Sequence, residues 1–287
     1  MKTFSIIGAG VVGTAVGSLL VSRGYVIKAV VSRDMEKARK AAALIGGGEP
    51  GTDVVRGAAG AGIVFITTPD KAIRKTCERI AEGGGFARGA LAVHMSGALS
   101  SEELGKAREA GALAISLHPL QSLASVEQAM KNLPGSYFSI EGDAAALDAG
   151  RDIVEALGGL LVVIPKGEKA LYHAGAAVAS NYLVAVVDFA AEIFASLGME
   201  KGEALRAIMP LVKGTVNNLD RVGLPDALTG PIARGDVGTV EGHVRALEKK
   251  MPGLLPLYRE LGIRTVKVGA EKGTLGAAEA GRLMELL

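Results

Sequence analysis

Four histidines stand in this chain of 287 residues, and imidazole is the side chain whose ordinary pKa lets it trade protons near neutral pH. His94 ends the apolar run that begins at Leu91 and is followed by Met95, Ser96 and Gly97; His118 ends the next run and is followed by Pro119. Strand ends that follow one another in an open sheet surface on one edge. A ring there can take or give the proton that accompanies a hydride transfer. The Ser96 hydroxyl can bond a substrate carboxylate or carbonyl. A third ring, His173, opens a long helical pattern, in which Ser180 falls about 20° and Asn181 about 80° from it around the axis. His173 and Asn181 can therefore address a reacting group together, although a polar stripe buried against other helices or a second subunit has the same spacing.

Chemistry of that kind needs a hydride carrier, and the chain opens with a place to hold one. "FSII" is followed by Gly8-Ala9-Gly10-Val11-Val12-Gly13 and then a helical pattern. Gly8 permits the tight turn, Gly10 lets backbone approach a pyrophosphate, and Gly13 lets helix pack on strand, with the amides around Val11 and Val12 free for phosphate. The next strand ends in Val31-Ser32-Arg33-Asp34. An acidic residue at the strand end would read ribose hydroxyls. Ser32 and Arg33 instead offer a hydroxyl and a guanidinium suited to a 2′-phosphate, and Asp34 reads as a helix cap, so the expected cofactor is NADP. Thr67, Thr68 and Pro69 end a further strand and are expected to line the ribose and nicotinamide side.

The elements that must position these residues follow from periodicity. Apolar runs at 4–7, 26–31, 63–67, 91–94, 112–117, 137–140 and 160–164 alternate with helical stretches, the pattern of parallel βαβ units. Asp34, Asp70 and Ser100 or Ser101 stand where helices should open. Near Pro165 the character changes to helices at about 167–197, 201–221, 237–250, 253–261 and 274–286, with one strand-like run, "IRTVKVGA". The reading is an α/β fold: a Rossmann-like, doubly wound, mostly parallel sheet over residues 1–165, then a helical domain over 166–287 for substrate and dimerisation. In "LTGPIARGD", Asp236 reads as a cap, and Arg234 can clamp an anion.

Composition closes off other classes. Thirty-two basic against 30 acidic side chains, net +2, lack the basic excess of a nucleic-acid binder. One cysteine, Cys77, excludes an internal disulfide and a cysteine metal cluster, so no metal is expected and a reducing cytoplasm fits. No signal-peptide pattern opens the chain. The apolar stretch "AGAAVASNYLVAVVDFAAEIFASLG" carries Asn181, Asp188 and Glu192 and is expected to be a buried helix, not a membrane span.

"GAGVVGTAVG", "HMSGALS", "SLHPLQSLA", "YHAGAAVASNYL" and "LTGPIARGDVGTVEGHVRAL" together resemble a group of bacterial and archaeal proteins that pair a Rossmann-like NADP-binding domain with a helical C-terminal domain of unknown function, type 2520. The resemblance spans essentially the whole chain. It implies an NADP-dependent oxidoreductase, homodimeric through the helical domain, and leaves the reaction open; the leading expectation for the substrate is a small anionic metabolite, a carboxylate-bearing carbonyl, hydroxyl or imine compound. More distantly the chain is similar to prephenate dehydrogenase, pyrroline-carboxylate reductase, ketopantoate reductase and the β-hydroxyacid dehydrogenases. His118-Pro119 resembles the His-Pro of prephenate dehydrogenases, which implies that His118 meets the substrate. If Asn181 matches the helical asparagine of β-hydroxyacid dehydrogenases, Ala177 stands where their lysine would be. The alternatives are a non-catalytic NADP(H) sensor and a deazaflavin reductase.

Overall fold

Seven of the eight strands arise from the apolar runs marked in the sequence. The computed structural model describes residues 2–287. Its strands are β1 (Thr3–Ile7), β2 (Val26–Val31), β3 (Glu49–Gly51), β4 (Ile63–Ile66), β5 (Leu91–His94), β6 (Leu113–Pro119), β7 (Tyr137–Gly142) and β8 (Leu160–Val163). They form one sheet in the order β3-β2-β1-β4-β5-β6-β7-β8. Pairing is parallel through β6, β7 runs antiparallel to β6, and β8 is parallel to β7. The chain order reverses between β1 and β4, the switch point beside which ligands bind in sheets of this type.

Between the strands run α1 (Val11–Ser22), α2 (Met35–Ile45), α3 (Val54–Ala58), α4 (Asp70–Glu82), α5 (Gly105–Glu109), α6 (Val126–Asn132) and α7 (Leu147–Ala156); α8 (Lys169–Ala177) follows the last strand. Successive strand residues point to opposite faces, and both faces are apolar and covered. Ile6, Phe65, Val93 and Ile115 pack with Val16 and Leu20 of α1 and Ile153 of α7. Ile7, Ile66 and Ala92 pack with Ile73, Cys77 and Ile80 of α4 on the other side. Burial pushes the Cys77 thiol up to about 11.

The chain divides into two units, Met1–Asn181 and Tyr182–Leu287, so the division lies beyond α8 and not at the compositional break near Pro165. Lys169 of α8 is buried in the first unit and Tyr172 bonds β6, which ties that helix to the sheet. The second unit holds α9 (Leu183–Ala195), α10 (Lys201–Val222), α11 (Val237–Lys250), α12 (Leu255–Lys272) and α13 (Ala277–Leu286).

Two expectations for this part of the chain are corrected. "IRTVKVGA" is helix, lying within α12, where Leu255, Gly262, Val266 and Gly269 form a buried stripe at helical spacing. That stripe outweighs the strand preference of the β-branched residues. Nor is the apolar stretch buried: over the helical segment Lys169–Ala195, with a mean hydropathy of 1.5, only 6% of the apolar window is covered, and the segment is long and apolar enough to cross a membrane by length and composition. Periodicity alone does not say what an apolar helix packs against.

Candidate active site

The glycine loop is shaped by what it touches. Gly8 has φ +123°, and a Cβ there would lie 2.6 Å from the Thr67 carbonyl carbon and 2.7 Å from the Thr68 nitrogen. A Cβ on Gly13 would lie 2.4 Å from Thr67 Oγ1 and 2.6 Å from the Gly8 oxygen. Gly10 differs, since nothing lies within 4 Å of its added Cβ. Its extended backbone opens α1 with no side-chain cap and no acidic residue in the first turn. The first helical bond runs from the Thr14 amide to the Gly10 oxygen, so the amides of Val11, Val12 and Gly13 precede the helix ladder and point out of its positive end.

At the neighbouring strand ends, Thr67 Oγ1 donates to the Gly8 oxygen at 2.7 Å. Its hydroxyl therefore clamps the loop, where the sequence led us to expect it lining the nicotinamide. Thr68 Oγ1 is buried without a partner among the described residues, an orphan donor beside the loop that a ligand oxygen would satisfy. Pro69 is exposed at the N-cap of α4 and gives no side-chain cap. Asp70 is the first residue of the helix and turns its carboxylate to Ser96, so it is not the cap expected. At the end of β2, Asp34 accepts from the amides of Glu36 and Lys37 and caps α2. Ser32 lies beside it, and Arg33 is exposed with no hydrogen bond or ion pair among the described residues. A free amide cluster, an orphan hydroxyl and an uncommitted guanidinium on one sheet edge fit a phosphorylated dinucleotide.

The histidines separate into two kinds. His94 is fully buried; Nε2 donates to the Ser100 oxygen at 2.9 Å, and Nδ1 accepts from the Ser96 amide at 3.2 Å. Burial, above all, holds its pKa down to about 4. Ser96 Oγ donates to Asp70 at 2.9 Å and accepts from the amides of Ala98 and Leu99. The pair expected to meet substrate instead builds the loop after β5, because every polar atom on both side chains is already engaged.

That loop carries Gly97 to the rings of His118 and His173. A Cβ on Gly97 would lie 2.8 Å from His118 Nε2 and 2.6 Å from His173 Nδ1. The two rings stand edge to face with centroids 6.2 Å apart. His118 Nδ1 faces the Tyr172 hydroxyl at 3.1 Å, which leaves Nε2 toward Gly97. Burial, then Lys169, His173 and His94, lower the His118 pKa to about 3, so the ring is neutral at ordinary pH. By strand register Ser116 pairs with His94, which carries His118 two residues beyond the end of β5 on the edge that bears the glycine loop.

Beneath these rings lies a residue that sequence reasoning passed over. Lys169 is 2% exposed. Its Nζ donates to Ser139 Oγ at 3.3 Å and stands 5.1 Å from the Tyr172 ring centroid. The signal was present: Lys169, Tyr172 and His173 are spaced i, i+3, i+4, one helical face. The antiparallel β7 supplies the rest by pairing Ser139 with His118 and Glu141 with Ser116.

Asn181 is exposed and sits in a π-helical turn, Val178–Tyr182. That wider turn breaks the 100° register, so the angle expected between Asn181 and His173 does not hold. In the second unit Asp236 caps α11 as expected, Arg234 is exposed, and His243 bonds the Tyr258 hydroxyl at 2.9 Å. Among the described residues no group of three or more His, Cys, Asp or Glu side chains could hold a metal ion.

With this geometry in view, comparison with known proteins is informative. No curated protein sequence matches the chain. The crystal structure of protein TM1727 from Thermotoga maritima matches 94% of this chain and 99% of its own, with TM-score 0.75 and 29% identity. A pyrroline-5-carboxylate reductase from Coxiella burnetii matches 99% of this chain and 98% of its own, with TM-score 0.61 and 17% identity. An imine reductase variant from Myxococcus stipitatus in complex with NAD+ matches 99% of both chains, with TM-score 0.61 and 20% identity. The last two share the fold. Family models match as a Rossmann-like domain over residues 2–119 and as a domain of unknown function, DUF2520, over residues 136–265. The glycine loop and His118 thus fall in the stretch that matches a Rossmann-like domain, and the Lys169–Tyr172–His173 face falls in the stretch that matches DUF2520.

Proposed function

We propose that this chain is an NADPH-dependent oxidoreductase that moves a hydride to or from a small carboxylate-bearing carbonyl, hydroxyl or imine compound. The observation that carries this reading is the His118 ring, neutral and with Nε2 uncommitted, on the same sheet edge as the glycine loop. Gly8, Gly10 and the amides of Val11, Val12 and Gly13 hold the pyrophosphate, the Thr68 hydroxyl meets the ribose side, and Ser32 with Arg33 takes the 2′-phosphate. Asp34, spent on capping α2, does not compete for ribose. When bound, the reduced nicotinamide supplies the hydride; the protein's own task is to bind, orient and exchange a proton at His118 Nε2. His173, whose Nδ1 stands against the same Gly97 as His118 Nε2, orients the substrate.

Calorimetric titration with NADPH and NADH tests the cofactor. NADPH should bind at least ~10-fold tighter, and Arg33→Ala should remove that margin, since a charge-assisted bond contributes about 1.5–3 kcal/mol. Equal affinities would end the NADP assignment. Against a panel of keto acids and cyclic imines, His118→Asn should keep NADPH affinity and lose at least ~100-fold in turnover. Tight binding with no turnover on any member would favour the sensor reading.

The same reading makes the protein a homodimer. Leu183, Val184, Phe194, Leu197, Leu211 and Leu224 of the second unit are exposed, an apolar display that a second copy would cover. Sedimentation should show a dimer that Val184→Glu disperses. A soluble monomer, or partition into membranes, would refute it.

A further inference from the structure

His118 presents a difficulty for any reduction in this site: held at about 3, it carries no spare proton at neutral pH. A neutral imidazole can still pass one, receiving at one nitrogen as it gives from the other. We infer that Lys169 is the proton reservoir of the site and feeds His118 through Ser139 and Tyr172. This rests on the oxidoreductase reading above.

The groups along the path are neighbours in the structure. Lys169 Nζ donates to Ser139 Oγ at 3.3 Å and stands 5.1 Å from the centroid of the Tyr172 ring, and the Tyr172 phenol meets His118 Nδ1 at 3.1 Å. Ser139 is buried and stands opposite His118 across the β6–β7 pairing. Nothing structural demands an ammonium there. Among the described residues Lys169 is in no ion pair, and Ser139 is its one hydrogen-bond acceptor. An isolated buried ammonium costs several kcal/mol.

The charged and titratable groups around the path come from every packed element. They are Glu141 on β7, Asp70 on α4, His94 on β5, His118 on β6, and Tyr172 and His173 on α8. Glu141 has both carboxylate oxygens on Ser101, one on its amide and one on its hydroxyl, and Asp70 accepts from Ser96. Both oppose, without cancelling, the burial that lowers Lys169 to about 8. An acid in that range is protonated at neutral pH yet releases its proton readily.

In the reducing direction the step balances as follows. The C=N or C=O carbon receives the hydride that a bound reduced nicotinamide would supply, and the π electrons pass to nitrogen or oxygen, which takes the proton from His118 Nε2. His118 Nδ1 takes the phenol proton, Tyr172 takes that of Ser139, and Ser139 takes one from the Lys169 ammonium. The product has gained one hydride and one proton, the nicotinamide is oxidised, and Lys169 is a neutral amine until solvent reprotonates it.

The test has two arms. With NADPH and pyrroline as the imine probe, turnover should fall as pH rises through about 8. Lys169→Met should remove that limb and at least ~100-fold of turnover with NADPH affinity unchanged, and Ser139→Ala should do likewise. Retention of the limb in Lys169→Met would overturn the inference. The second arm needs no substrate. In protein with 15N-labelled lysine and histidine, deprotonation of Lys169 should move the His118 ring resonances with the same midpoint. Tyr172→Phe should abolish that coupling, whereas a purely through-space field would survive it and refute the relay. If the wild type does not reduce the probe, the oxidoreductase reading is challenged, and the second arm still decides the relay.

Discussion

Alanine at Gly8 and at Gly10 should fail in opposite ways, because one glycine is required by the protein and the other only by a ligand. At Gly8 a side chain meets backbone at 2.6–2.7 Å and a φ of +123°. The backbone strain costs roughly 1–3 kcal/mol and the overlap with atoms that cannot swing away another ~1–3 kcal/mol. The sum lowers the apo melting temperature by more than ~5 °C, at roughly 2–4 °C per kcal/mol for a chain of this size. Gly10 has extended backbone and open space around its missing Cβ. Gly10→Ala should leave apo stability within about 0.5 kcal/mol. Its methyl would instead occupy the approach to the amides of Val11 to Gly13. Losing even one phosphate bond there, about 1.5 kcal/mol or more, weakens NADPH at least ~10-fold. Differential scanning calorimetry and NADPH titration on the two variants read both quantities. Unchanged NADPH affinity in Gly10→Ala would refute the assignment of this loop to a pyrophosphate, and unchanged stability in Gly8→Ala would refute the packing argument.

Three further outcomes follow from the buried polar groups. His94 and His118 are held at about 4 and about 3, below the ~6.5 of an unfolded chain, so between those values the unfolded state binds more protons. Their stability contribution is complete above about pH 6.5 and drains as pH falls, by up to about 1.4 kcal/mol per pH unit for each ring. Urea midpoints at pH 7 and pH 5 should show this, and His118→Gln should shallow the slope. By the same rule Lys169, held at about 8, makes stability rise from about pH 8 toward 10, a rise that Lys169→Met should abolish. Ser96→Ala leaves the amides of Ala98 and Leu99 and the Asp70 carboxylate short of partners. It should cost roughly 1–3 kcal/mol and loosen Gly97, seen as faster amide exchange there; unchanged exchange would refute the clamp.

The sheet was legible in the sequence where strands are buried on both faces, since Phe4, Ile6, Phe65 and Ile66 cannot be read as anything but core. β3 was not, because Glu49-Pro50-Gly51 has no apolar run and joins the sheet only through its neighbour. The glycine loop could be read because its demands are local. The proton site could not be read whole, since it depends on β7 reversing direction to set Ser139 beside His118, and a pairing direction leaves no mark in a single strand. Lys169 followed a change of composition and looked solvated; only its spacing to Tyr172 and His173 spoke otherwise. His94 and Ser96 carried the right chemistry at the right edge, and the loop they belong to claimed both.

The strand order also makes the sheet a ruler. The end of β2, with Ser32 and Arg33, lies four strands from the end of β6, with His118, roughly 19 Å at ~4.8 Å per strand. One end can be altered without touching the other. Exchanging Ser32 and Arg33 for a ribose-reading pair should therefore change which dinucleotide is preferred and leave the alkaline limb of the chemistry where it was. The adenosine half of the cofactor alone should dock at one end and leave the His118 resonances still.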